Sequence, residues 1–149
     1  MAKTYRTMLL FALSVIVTGC ASVEYTSTSR EMMAKSFTPV ADKAIIYVYR
    51  KGSWGDRLAV PVMVDSKIVG SNGAGTFLMI VVSPGDHVIG TNTQESYASV
   101  GVKAKAGKLY FFEQNIYTDS TGMRVSIESV TENHGKESVL KYNLVKTFE

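Results

Sequence analysis

The side chains able to do chemistry are few and far apart. The 149 residues hold two histidines, His87 and His134, and one cysteine, Cys20. Catalysis needs a nucleophile beside a base, paired carboxylates, or a set of metal ligands. His87 follows the turn Ser83-Pro84-Gly85-Asp86 and reads as a structural or exposed imidazole. His134 lies in the polar stretch Glu132-Asn133-His134-Gly135-Lys136 and reads the same way. No His-x-x-x-His, Cys-x-x-Cys or Asp-rich calcium loop occurs, so no metal and no other cofactor is expected. Gly70-Ser71-Asn72-Gly73-Ala74-Gly75 is glycine-rich, but no Lys-Ser or Lys-Thr follows it, and a strand comes next. Without a helix N-terminus it is expected to be a hairpin loop rather than a phosphate cradle. An enzyme is therefore not expected; the alternative, a hydrolase using an unrecognised Ser or Asp, has little to work with. One loop does carry binding chemistry. Arg50-Lys51-Gly52-Ser53-Trp54-Gly55-Asp56-Arg57 sets the chain's single tryptophan among cations, and Trp and Arg dominate binding hot spots. Trp54, Arg50 and Arg57 are thus the expected partner-binding residues. The competing expectation folds Trp54 back as a cap, with both arginines solvated.

Cys20 offers a different chemistry. Lys3 and Arg6 precede the apolar run Met8 to Val17, which is shorter than the about 20 residues needed to span a bilayer. Such a run matches the hydrophobic part of an export signal. Val17-Thr18-Gly19-Cys20 at its end resembles the lipobox of bacterial lipoproteins. The resemblance implies that residues 1–19 are a removed signal peptide and that Cys20 becomes the lipidated first residue. At about 0.8 kcal/mol per buried CH₂, its acyl chains would fix the protein to a membrane. Ala21, where Asp usually marks inner-membrane retention, implies the outer membrane, on its periplasmic face. Lys3 and Arg6 leave with the signal, so the sixteen basic residues fall to fourteen against thirteen acidic ones. That balance argues against nucleic acid, which demands a basic stripe.

The elements that must position these residues read as β-structure. Residues 20–39 form the lipidated N-terminus and a polar tether. Met32-Met33 and Phe37 make either a short helical turn or a docking segment there, with a loosely ordered tether as the plainer reading. Residues 40–149 form the domain. Lys43 to Arg50 is a strand apolar on both faces, hence central. Ala59 to Asp65 is another, which Pro61 pushes to an edge or bulges. Asp65-Ser66-Lys67 turns the chain, and Asn72-Gly73 signals a tight turn. Thr76 to Val82 is the most apolar strand of the domain, followed by the type II turn signal Pro84-Gly85, after which His87 begins the returning strand. Ser99 to Lys105, Leu109 to Tyr117 and Met123 to Glu128 complete about seven short strands, with a short helix near Glu137 to Leu144. An antiparallel β-sandwich is the expected architecture.

Several segments together resemble one family, the lipoproteins carrying domain of unknown function 2846. They are Lys43 to Arg50, Val64-Asp65-Ser66-Lys67-Ile68-Val69-Gly70, Ser83-Pro84-Gly85-Asp86-His87 and Ala106-Gly107-Lys108-Leu109-Tyr110-Phe111. Ser66 stands where that pattern more often has glycine. The resemblance implies a lipid-anchored sandwich and brings no ligand. The expected function is non-enzymatic: a domain held to the membrane through Cys20 that binds an envelope protein or glycan. The alternative is a structural outer-membrane lipoprotein without a discrete ligand.

Overall fold

The computed structural model describes residues 23–52 and 58–148. Its elements in order are α1 (Thr28–Lys35), β1 (Ala44–Arg50), β2 (Val60–Val64), β3 (Lys67–Asn72), β4 (Thr76–Val82), β5 (Gly85–Asn92), β6 (Tyr97–Ala104), β7 (Leu109–Asp119), β8 (Gly122–Val130), α2 (Glu132–Lys141) and β9 (Asn143–Leu144). Two sheets face each other, ordered β8-β7-β1-β4-β9 and β3-β2-β5-β6. Alternation along β1 sorts the core. Ile46 and Val48 point between the sheets with Leu78, Phe112, Val62 and Ile89. Ile45, Tyr47 and Tyr49 point outward and pack with Phe77 and Phe111 under the two helices. Every residue of β1 is buried, which fits its place in the middle of the larger sheet. Each large side chain so removed from water contributes about 1.5–3 kcal/mol.

Several sequence expectations need correction. The Gly73–Gly75 reversal is no hairpin, because β3 and β4 belong to different sheets. The same holds for Ser83-Pro84, where the chain passes from β4 to β5. Glycine and proline signal a change of direction but not which strand pairs afterwards. Pairing is also mixed: β1 runs parallel to β7 and β4 parallel to β9. Pro61 lies on β2, which is flanked by β3 and β5, and the β2–β3 register shifts between Val62 and Met63. The bulge alternative is the correct one.

The expected loose tether is instead ordered over the residues described. Glu31 and Lys35 pair across one turn of α1 at 2.6 Å, and Ala34 is fully buried. Its small side chain lets the helix approach closely enough for the Tyr47 hydroxyl to donate to the Ala34 carbonyl at 2.8 Å. Phe37 adopts a left-handed φ of 52° after the helix and packs edge-on against Tyr47. The second helix starts earlier than expected, at Glu132, where the Thr131 hydroxyl accepts from the His134 N–H. Gly135 in its first turn hides that start from helix propensity. Among the described residues no helix is long and apolar enough to cross a membrane.

Candidate functional site

The inner core is apolar until the end of β1, where it turns polar. Arg50 lies level with Thr76 on β4 and Gln114 on β7. It is only 2% exposed, and its Nη1 donates to the carbonyls of Leu58 at 2.7 Å and Asn72 at 3.3 Å. Arg50 therefore does not present its charge to a partner, nor is it solvated; it fastens the far side of the 51–59 loop to the sandwich. Asn72 Nδ2 donates to the Val48 carbonyl at 3.0 Å, while Thr76 Oγ1 donates to Asn72 Oδ1 at 3.2 Å. Gln114 Nε2 donates to Thr91 Oγ1 at 2.6 Å, and both side chains donate to the Pro61 carbonyl. Most buried polar groups are bonded in this way, but Gln114 Oε1 is buried without a hydrogen-bond partner. Trp54, Arg57 and Cys20 lie outside the described residues.

Beside this polar layer is a hollow of about 340 Å³, bounded by Leu58–Pro61, by Asn92–Glu95 and by Met123. Its wall is a clamp between two hairpins. The Glu95 carboxylate accepts from the Met123 N–H, and Arg124 Nη1 donates to the Glu95 carbonyl at 3.3 Å. Gly122, with φ of 122°, lies where any Cβ would collide with the Glu95 carboxylate. The β7–β8 hairpin closes through Asp119, which accepts from Thr121 N at 2.8 Å and Arg124 Nε at 3.0 Å. A mostly apolar hollow with a few polar groups suits a small ligand or a docked side chain.

On the outer face at the same end is Glu113, 6% exposed. It accepts from the Tyr49 hydroxyl at 2.8 Å and from Lys51 Nζ at 2.9 Å, with His134 Nε2 at 3.8 Å. Burial pushes its pKa up, but hydrogen bonds from Lys51, Tyr49 and Asn115 outweigh this and hold it below the ordinary carboxylate range. Lys51 is raised in return by its bond to Glu113. A carboxylate held ionised with its oxygens occupied is a poor proton acceptor. The group is better suited to pinning the base of the loop to β1 and β7.

His87 has both ring nitrogens engaged, Nδ1 with Asp65 Oδ2 at 2.6 Å and Nε2 with the Ser83 carbonyl at 2.9 Å. Asp65 also accepts from the Val88 N–H at 2.9 Å. Asp65 and Ser66 both have positive φ, 51° and 68°, the type I′ geometry of a two-residue hairpin turn. His87 thus locks the β2–β3 turn, which is the structural reading of that histidine.

Sequence reading missed Glu113, Glu95, Asn72 and Gln114. They lie apart in the chain, and only the parallel β1–β7 pairing and the crossovers bring them to one end. For Glu113 and Gln114 the signal that was present is a charged and an amide residue inside an apolar strand.

The family described as "Protein of unknown function (DUF2846)" matches residues 40–127. The chain belongs to that family. The DUF2846 match spans β1 through most of β8 and stops short of α1, α2 and β9. An uncharacterized protein of Haemophilus influenzae (strain ATCC 51907 / DSM 11121 / KW20 / Rd) is 26% identical over 136 residues. That alignment covers 91% of this chain and 81% of the relative, so the likeness extends beyond the DUF2846 segment itself.

Proposed function

We propose that this protein is a lipid-anchored, non-enzymatic domain of the bacterial envelope, held at the periplasmic face of the outer membrane, that binds another envelope component. The observation that carries the anchoring is the placement of Cys20 after Val17-Thr18-Gly19, behind a basic and apolar leader. The match to a protein of Haemophilus supports a bacterial setting. Binding is assigned to the end of the sandwich where Leu58–Pro61, the hollow beside Glu95 and the β5–β6 hairpin converge. Arg50 serves there as the loop's fastening, leaving Trp54 and Arg57 as the residues for an envelope protein or glycan. The engaged rings and carboxylates of His87, Asp65 and Glu113 support a binding role over a catalytic one.

The test is expression of the full chain in a Gram-negative host with labelled palmitate. The label is expected in the wild-type protein and absent from Cys20→Ser, with the wild type in the outer-membrane fraction. A wild-type protein of unacylated mass in the soluble fraction would refute the anchoring. For binding, in-cell crosslinking from a photoreactive residue at position 94 should capture a discrete partner, and Trp54→Ala should weaken that capture while leaving the thermal midpoint unchanged.

A further inference from the structure

The described chain begins at Val23, and Val23 is fixed to one end of the sandwich. Its Cγ1 lies 3.3 Å from where a Cβ on Gly73 would sit, in the crossover between β3 and β4. Cys20 is three residues earlier, and three extended residues reach about 10 Å. The seven residues of β1 alone measure about 23 Å at the usual rise per strand residue. Cys20 therefore reaches the loop end only. The opposite end, with Ser83-Pro84 and Ala106-Gly107, is beyond its span.

A second feature at that end reaches past the end of β1, with the β5–β6 turn alongside it through Glu95. Gln114 is level with Arg50, the last residue of β1. β7 then runs on to Asp119 before β8 returns from Gly122. Those five extra residues project about 16 Å. A bilayer that holds Cys20 within about 10 Å of Gly73 meets this overhang as well. The chemistry of the tip suits such contact. Tyr117 is 50% exposed, and its ring is apolar along the body and polar at the hydroxyl. Thr118, Ser120 and Thr121 are exposed, and the Asp119 carboxylate is matched by Arg124. The Glu95 carboxylate beside the tip accepts from the Met123 N–H, so seating the tip among the wet headgroups, short of the hydrocarbon, leaves it bonded.

We infer that the β7–β8 hairpin tip, Tyr117 to Thr121, is a second membrane contact, so that the domain rests loop end down on a lipid surface at two points, acylated Cys20 and this tip. The inference rests on the anchoring reading above. It turns the hollow beside Glu95 toward the headgroup layer, so that a partner held there meets the domain at the membrane surface, and the Ser66 turn away from it.

Acylation occupies the sulfur of the chain's one cysteine, so an introduced cysteine is the only free thiol of the mature protein. Ser120→Cys and Lys105→Cys, both exposed positions at opposite ends, would each be labelled with a fluorophore. The lipidated full-length products go into phosphatidylethanolamine–phosphatidylglycerol vesicles containing a lipid with a nitroxide headgroup. The label at position 120 is expected to be quenched several-fold more than the label at position 105. Equal quenching at both, or stronger quenching at 105, on a chain of acylated mass would overturn the orientation alone. An unacylated mass would overturn the anchoring and the orientation with it.

Discussion

Arg50 shows how one residue can serve opposite purposes according to its surroundings. As a cation beside Trp54 it reads as surface binding chemistry; buried at the end of β1 it is a donor for the carbonyls of Leu58 and Asn72. Arg50→Ala leaves both without that donor and opens a hole, so unfolding free energy should fall by about 3 kcal/mol, read from urea denaturation. His87 and Asp65 make a second residue-scale prediction. The bond to Asp65, then the Ser83 carbonyl, raises His87 above 6.5, while the Val88 N–H, then His87, lowers Asp65 below 3.8. A raised histidine stabilises fully below 6.5 and loses its effect as pH climbs through the folded value. A lowered aspartate stabilises above 3.8 and loses its effect as pH drops through the folded value. The gap in urea midpoint between wild type and His87→Asn should therefore be widest near pH ~5 and shrink by pH ~9. A gap of constant size would refute an ionic pair. At the neighbouring position, Ser66→Gly relieves a left-handed φ of 68° and should add up to about 1 kcal/mol by the same measurement.

Among the elements, β1 was the most legible. Its unbroken apolar content placed it in the sheet centre. What stayed hidden was set by distance along the chain: no local pattern reveals that β3 and β4 part company at Gly73, or that β1 pairs with β7 in parallel. Of the candidate site, composition pointed to the 50–57 loop, where Arg50 is a buried fastening and Trp54 and Arg57 lie outside the described residues, whereas Glu113 and Gln114 looked like interruptions of a strand. The start of α2 was concealed by Gly135, which looks like a helix breaker but is demanded by packing. A Cβ there would sit 2.3 Å from Phe111 Cβ. Gly135→Ala, which would gain about 1 kcal/mol in an exposed helix, is expected to lose about 1–3 kcal/mol here through overpacking. A thermal melt decides the sign.

For the whole molecule, the β1–β7 pair of the larger sheet closes a long stretch of chain, because β2 to β6 all lie between β1 and β7 in sequence. Non-local pairing of this kind slows the search for the native state, and refolding should take milliseconds to seconds in stopped-flow measurements. The first and last described stretches are also stitched together. Thr26 N donates to the Leu144 carbonyl at 3.2 Å, Lys146 N to the Glu24 carbonyl at 2.6 Å, and Tyr25 bridges Val145. If Cys20 carries acyl chains as proposed, a tug on them must tear this seam before it strains a strand of the core. Once the seam and then α1 peel away, residues 23–38 become a leash of about 55 Å. The body of the protein could then swing outward still folded, and settle back when the tension ends.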